Sequence, residues 1–258
     1  MEKRNFKSNW DKMVQFYEDF TNTKDSYSSL IEWKAIKTIL PRLENKTILD
    51  LGCGTGRFSF LLEELNPKMI LGIDLSDEMI NFCKERAKEK GSQIEFSQGD
   101  IENISFIDDN SIDFVFSSTV LHYVKDLNEV MKEINRVLIS AGTCILSVIN
   151  PVYSACYPLS KENGEIPVDD EWNVKYLDRG LRAYIQPWIE YNPNIDNYLS
   201  YSYHHTMSDY INSIVKAGLQ IEELLEPLPP AEWKEDNIKR YYGYMDTPTY
   251  AIFKLKKN

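Results

Sequence analysis

The chain has 258 residues and a mass of 30.1 kDa, which a prior of ~150 residues per domain reads as one α/β domain with an appendage or as two domains. Its 43% hydrophobic and 27% charged content, with a mean hydropathy of -0.42, exclude a collagenous, disordered or membrane-spanning chain. Asp and Glu total 40 against 29 Lys and Arg, a net charge of -11. Such a surface repels phosphate backbones, which ranks a small molecule, cationic ones included, above nucleic acid.

The first twenty residues are charged throughout and hold no apolar stretch of secretory or spanning length, so a cytoplasmic chain that engages no membrane is expected. Cys53, Cys83, Cys144 and Cys156 form no C-x-x-C pair; they read as free thiols, and no metal is expected. Residues 1–43 read as a helical cap, with Leu30, Ile31, Ile36, Ile39 and Leu40 on roughly one face before Pro41 stops it. From Lys46 short apolar runs alternate with helical ones: Thr47 to Leu51, Met69 to Asp74, Ile94 to Phe96, Phe114 to Phe116 and Thr143 to Ile149. Strands alternating with helices imply crossover connections and a doubly wound, mostly parallel sheet.

Two of the intervening helices carry clear punctuation. Ser76 precedes Asp77 and Glu78, and Lys84, Arg86 and Lys88 come before Gly91, which matches cap, macrodipole and stop. Asp126 and Glu129 stand at capping-box spacing ahead of Leu127, Val130, Met131, Ile134, Val137 and Leu138, with Gly142 ending the helix or turning the chain. Residues 151–203 break the alternation with ten aromatics and eight acids, and read as an insertion over the sheet, too poor in aliphatics to have a core of its own. Ser208 is expected to open a further helix that ends at Gly218, and Leu219 to Leu225 and Thr249 to Leu255 are the last strand candidates.

The strongest signal is Ile48 to Ser59, a strand that runs into Gly52, Gly54 and Gly56 and then a helix. Glycine is required where backbone turns with positive φ or approaches a ligand more closely than a Cβ permits. A dinucleotide loop would have Gly or Ala at the place of Arg57, which weakens a nicotinamide reading. Asp74 ends the next strand, where a carboxylate can accept both hydroxyls of a ribose; it can equally be the N-terminal charge of the following helix. Asp100, after the third strand, can accept from an exocyclic amine or be an ordinary loop acid.

With Asp50 to Gly56, Asp74, Gly99-Asp100-Ile101, Phe116-Ser117-Ser118 and Leu121-His122 in this order and spacing, the chain resembles the class I S-adenosylmethionine-dependent methyltransferases, particularly the small-molecule group described as type 11. The resemblance covers roughly residues 46–149 and implies a Rossmann-like methyltransferase fold with S-adenosyl-L-methionine as cofactor. It implies that Gly52, Cys53, Gly54 and Gly56 receive the methionine end, Asp74 the ribose, and Asp100 with the Ile101 amide the adenine. Leu75 and Met79 would flank the adenine, and Ser117 would border the methyl-transfer site. The stretch from Tyr203 to Pro227 also resembles the tail of this group, although His205 stands where members tend to have Arg. The expected plan is a single domain: cap 1–43, cofactor core 44–150, substrate lid 151–203 and the C-terminal part of the sheet, 204–258.

A sulfonium methyl is already activated, so the protein mainly aligns the acceptor and excludes water, and the open task is proton removal. His122, after the fourth strand, is the candidate base; packing or capping of the neighbouring helix accounts for it equally well. Of His204 and His205, one is expected to reach the pocket, because adjacent side chains point apart. Tyr17, Tyr203, His204 and Trp188 are the candidate substrate contacts, with Trp10 and Tyr17 closing over the cofactor or simply packing the cap. The aromatic insertion is either a cage for an amine or only buried area. The expected activity is methyl transfer to a small molecule, on N or O ahead of C. A non-catalytic cofactor-binding protein and a nicotinamide-dependent dehydrogenase are the alternatives.

Overall fold

Local sequence accounts for most element boundaries in the computed structural model, which describes residues 2–23, 26–156, 174–185 and 199–258. At the N-terminus α1 (Glu2–Asp11) and α2 (Val14–Thr21) precede a π-helical turn (Ser28–Glu32) that runs directly into α3 (Trp33–Ile39). Leu40 takes ψ 132°, the extended conformation that a following proline imposes, and so ends α3. Then β1 (Thr47–Leu51), α4 (Arg57–Glu63), β2 (Met69–Asp74), α5 (Asp77–Lys90), β3 (Glu95–Gln98) and β4 (Ile112–Ser118) alternate as expected. The Ser76 hydroxyl caps α5 by accepting from the Met79 amide, and Gly91 closes it in the left-handed conformation.

After a 3-10 turn (Leu121–Tyr123) come α6 (Leu127–Val137) and β5 (Leu138–Ile149). Asp126 caps α6 through the Asn128 amide. Gly142 does not end this helix. It lies inside β5, where pairing with β4 shifts register between Ile112↔Leu138 and Phe114↔Thr143, and a Cβ there would stand 2.8 Å from the Ile139 carbonyl oxygen. Next come α7 (Pro151–Ala155), β6 (Leu181–Ile185), β7 (Leu199–Tyr203) and α8 (Met207–Lys216). The α8 cap is Thr206 rather than a start at Ser208, because Thr206 and Asp209 hydrogen-bond each other's backbone reciprocally. The chain ends with β8 (Leu219–Leu225), α9 (Trp233–Asp236), α10 (Ile238–Asp246) and β9 (Tyr250–Lys257). The sequence pattern did not flag α9 or α10.

The seven-stranded sheet has the order β3-β2-β1-β4-β5-β9-β8; β1 to β5 run parallel, and β9 is antiparallel to both neighbours. Successive residues face opposite sides, so Leu49, Leu51, Val115, Leu146 and Phe253 pack with α6 and α8, whereas Ile48, Phe114, Phe116, Ile145 and Ile252 pack with α3, α4 and α5. β6 and β7 form a separate hairpin. Strand order reverses between β1 and β4, and a crevice forms beyond the carboxyl ends of strands at such a point. Among the described residues, no helix is long and apolar enough to cross a membrane.

Candidate active site

At the reversal point, β1 leaves the sheet through the three glycines. The Gly52 and Cys53 amides donate to the Ile73 carbonyl at 2.7 and 2.9 Å, which ties the loop across to β2. All three glycines have positive φ, 73°, 54° and 75°, but for different reasons. A Cβ on Gly52 would lie 2.2 Å from a Val120 methyl, and one on Gly56 would press on Cys83, Phe60 and Phe96 at 3.1 Å. One on Gly54 would meet only Tyr17, at 3.7 Å. Gly54 is thus the bare stretch of main chain that a ligand can approach, and the other two serve packing.

Asp74 closes this floor. Its carboxylate accepts from the Gly54 amide and from the Ser76 amide, both at 2.9 Å. Burial pushes its pKa up and these backbone donors oppose the shift. Asp74 therefore braces the glycine loop and the start of α5 while lining the cavity. Asp50, one strand position before Leu51, is buried with the Ser59 hydroxyl 2.5 Å away, and burial pushes it up to about 7.

A cavity of about 1080 Å³ opens above these strand ends. It brings together Gly52, Gly54, Asp74, Leu75, Met79, Asp100 and Ile101 on the floor with Tyr17 and His122. Asp100 is held in a turn by the Glu102 amide, which donates to its carboxylate at 3.0 Å. The volume lies just above the ~300–1,000 Å³ range of small-molecule pockets.

Several expected contacts fall elsewhere. Ser117 is buried and donates to the Leu51 carbonyl at 2.9 Å; strand alternation puts the next residue, Ser118, on the cavity wall instead. Cys53 and Cys83 turn away beneath the loop, both thiols near the Gly54 carbonyl, and Gly56 begins α4, so neither Cys53 nor Gly56 lines the cavity. Tyr203 packs against Phe6 and His205, outside the cavity wall. His204 is structural: its Nε2–H donates to the Tyr176 carbonyl and its Nδ1 accepts from Ser154, both at 2.8 Å. His205 donates to the Val124 carbonyl at 2.8 Å and is buried, so neither of the adjacent histidines reaches the pocket. Trp188 and most of the aromatic insertion lie outside the described residues.

His122 is 5% exposed and lines the cavity, with Nδ1 buried and unpartnered. Burial, with His205 nearby, pulls its basicity down to about 3, so the ring is a neutral hydrogen-bonding group at neutral pH. Thr119, three residues before His122, holds φ 55° on the cavity wall, a costly conformation for a β-branched residue.

The roof comes from the N-terminal cap. Phe6, Trp10, Phe16, Tyr17 and Phe20 line the cavity, and Trp10 packs edge-on against Tyr17 and Tyr123. Polar clasps hold the cap to α5: Lys7 to Asp77 at 2.7 Å, Ser76 to Asp11 at 2.6 Å and Arg86 to Glu18 at 2.5 Å. Glu32, from the π-helical turn, also lines the cavity, and sequence reasoning missed it. Its one signal was a glutamate embedded among the apolar residues Leu30, Ile31 and Trp33.

Residues 43–217 match a family model described as a methyltransferase domain. The chain belongs to this methyltransferase family. A solved Listeria monocytogenes structure classed as an S-adenosylmethionine-dependent methyltransferase superposes on 88% of this methyltransferase and 96% of its own chain, with TM-score 0.69 and 29% identity. A tRNA U34 carboxymethyltransferase of Nautilia profundicola is 35% identical over 48% of the chain, and a fatty-acid O-methyltransferase of Mycolicibacterium smegmatis is 33% identical over 58%. The chain spans less than half the length of these two relatives, 40% and 48% respectively. This protein is an S-adenosylmethionine-dependent methyltransferase with a Rossmann-like fold, which sets aside the nicotinamide reading. The site suits that cofactor: Gly54 presents bare main chain, Asp74 and Asp100 present acceptors, and Leu75, Met79 and Ile101 present apolar surface.

Proposed function

We propose that this methyltransferase acts in the cytoplasm as a single domain, on a small molecule enclosed in the cavity, with N or O as the receiving atom. The observation that carries this reading is the continuity of one cavity from Gly54, Asp74 and Asp100 to a separate wall of Glu32, Ser118, Tyr153, Asn237 and Tyr250. One ligand can lie along the strand ends while a second faces it. When bound, the cofactor supplies an activated methyl group on a sulfonium sulfur.

The chain's own residues do the rest. Gly54 and Asp74 hold the nucleoside end, and Leu75, Met79 and Ile101 enclose its base. Tyr17, beside Gly54, and Trp10 screen the site from water. His122 offers its unpaired Nδ1 as an acceptor toward the second ligand, orienting an N–H or O–H rather than storing its proton.

A second reading has one specific support, the relative that carries the name of a tRNA-modifying enzyme. The net charge of -11 and the aromatic enclosure favour the small molecule. Incubation with methyl-labelled S-adenosylmethionine, once with a metabolite extract and once with bulk tRNA, separates them. Label in a small product is the expected result; label in RNA alone would replace this reading with the other.

A further inference from the structure

Glu32 takes no part in the cofactor reading, yet it is the cavity-wall carboxylate with the least contact with solvent, at 0% exposure. It ends a π-helical turn, an irregularity that recurs at functional sites. Ser28 donates to one of its oxygens at 2.7 Å and Ser118 to the other at 2.5 Å, so the carboxyl is gripped from its own turn and from the end of β4. Arg57 is the cation nearby, but its guanidinium is directed to the hydroxyls of Ser28 and Ser29 at 2.7 and 2.5 Å. Among the described residues, no ion pair reaches Glu32.

Burial consequently pushes its carboxyl above the ordinary range, with the serines and Arg57 only partly opposing. Tyr17, Tyr153 and Tyr250 line the same cavity; Tyr17 and Tyr250 feel the Glu32 charge, and Tyr250 also feels Tyr17 and Tyr153. A carboxylate stripped of water and offset only in part by the Arg57 charge, on a cavity wall shared with three tyrosines, favours a further positive charge beside it, and aromatic rings attract the same kind of ion.

We propose that Glu32, together with Tyr17, Tyr153 and Tyr250, forms a subsite for a positively charged nitrogen inside the cavity. The inference rests on the reading of the cavity as the adenosyl and acceptor site. Two ligands can supply that nitrogen: the α-ammonium of the cofactor, or the ammonium of an amine acceptor.

Calorimetry on the intact protein, comparing the parent with Glu32→Gln, distinguishes them through S-adenosylhomocysteine, 5′-methylthioadenosine, which lacks the amino acid, and ethylammonium or tetramethylammonium added to the methylthioadenosine complex. If the cofactor supplies the ammonium, Glu32→Gln weakens S-adenosylhomocysteine by about tenfold or more and methylthioadenosine by less than about twofold. If the acceptor does, both nucleosides stay within about twofold and the ammonium probes lose about tenfold or more. The proposal is overturned if every ligand stays within roughly twofold, if all weaken in proportion, or if no ammonium binds and the two nucleosides respond alike. Should Glu32→Gln not fold, Glu32→Asp, which keeps the charge but withdraws it by one methylene, carries the same comparison. Failure of the parent to bind either nucleoside would instead remove the underlying adenosyl reading, and ammonium binding to the ligand-free protein would still judge Glu32.

Discussion

The floor and the roof of the cavity are built on different physical terms. The floor, Gly52 to Gly54 with Asp74, hangs from the ends of β1 and β2, whose side chains belong to the two cores that sandwich the sheet. The cap's first two helices share a small cluster around Met13, Trp10, Phe16, Tyr17 and Phe20, and are joined to α5 by polar clasps. On the proposed reading, sheet-anchored backbone presents the cofactor beneath a helical layer anchored mainly by polar clasps. Opening a segment with few core contacts costs less than opening the sheet.

Substitutions can break that contrast, and the largest effect belongs to the floor. Gly52→Ala places a methyl 2.2 Å from Val120 at φ 73°, so it should destabilise by about 2 to 5 kcal/mol, read as a large drop in Tm. Gly54→Ala, which meets only Tyr17, should keep the fold and lose S-adenosylhomocysteine affinity; equal Tm losses for the two would abolish the distinction between a packing and a ligand-facing glycine. Asp74→Ala should weaken S-adenosylhomocysteine by about 1 to 3 kcal/mol in calorimetry. Unchanged affinity would remove Asp74 from the cofactor site.

At the roof, Arg86→Ala leaves Glu18 without its partner at a partly buried clasp and should cost about 1 to 2 kcal/mol. Hydrogen exchange should accelerate in α2 while β1 and β4 keep their protection. Acceleration throughout would show that cap and sheet open as one unit.

The smallest effect concerns acidity. His122 is neutral in the fold down to about pH 3, whereas an unfolded histidine takes up a proton near pH 6.5. The unfolded state therefore binds more protons between those values, and the stability present above pH 6.5 is lost as pH falls. Between pH 7 and 5.5 this amounts to about 1 kcal/mol. Asp50, pushed up to about 7, acts in the opposite sense above pH 4, so the histidine contribution is read as the difference between His122→Asn and the parent across a pH series of Tm values. A difference that does not vary with pH would contradict the assigned neutrality of His122.

The same contrast separates what was legible in the sequence from what was not. The glycine loop, Asp74 and the Ser76 and Gly91 caps could be read directly because each requirement is met within a few residues of backbone. Ser117 was placed one residue away from the side chain that reaches the wall, since a strand's period of two assigns faces only once its register is known. His204 offered the same residue type as a catalytic base, but Ser154 and the Tyr176 carbonyl, 50 and 28 residues away, occupy its nitrogens. α10, which carries Arg240 to the cavity, follows a pattern that no motif announced.

By itself, the sequence determined the strand, glycine turn and acid of the proposed cofactor half: the positive φ angles and the Asp74–Ser76 contact are local, and the Asp74–Gly54 contact joins two successive strands of the alternating pattern. Only the tertiary structure decided the other half, where residues 17, 32, 118, 153 and 250 meet. Their proximity comes from a cap folding over residues that lie 86 or more positions further along the chain, and the electrostatics of Glu32 exist only once that packing has excluded water.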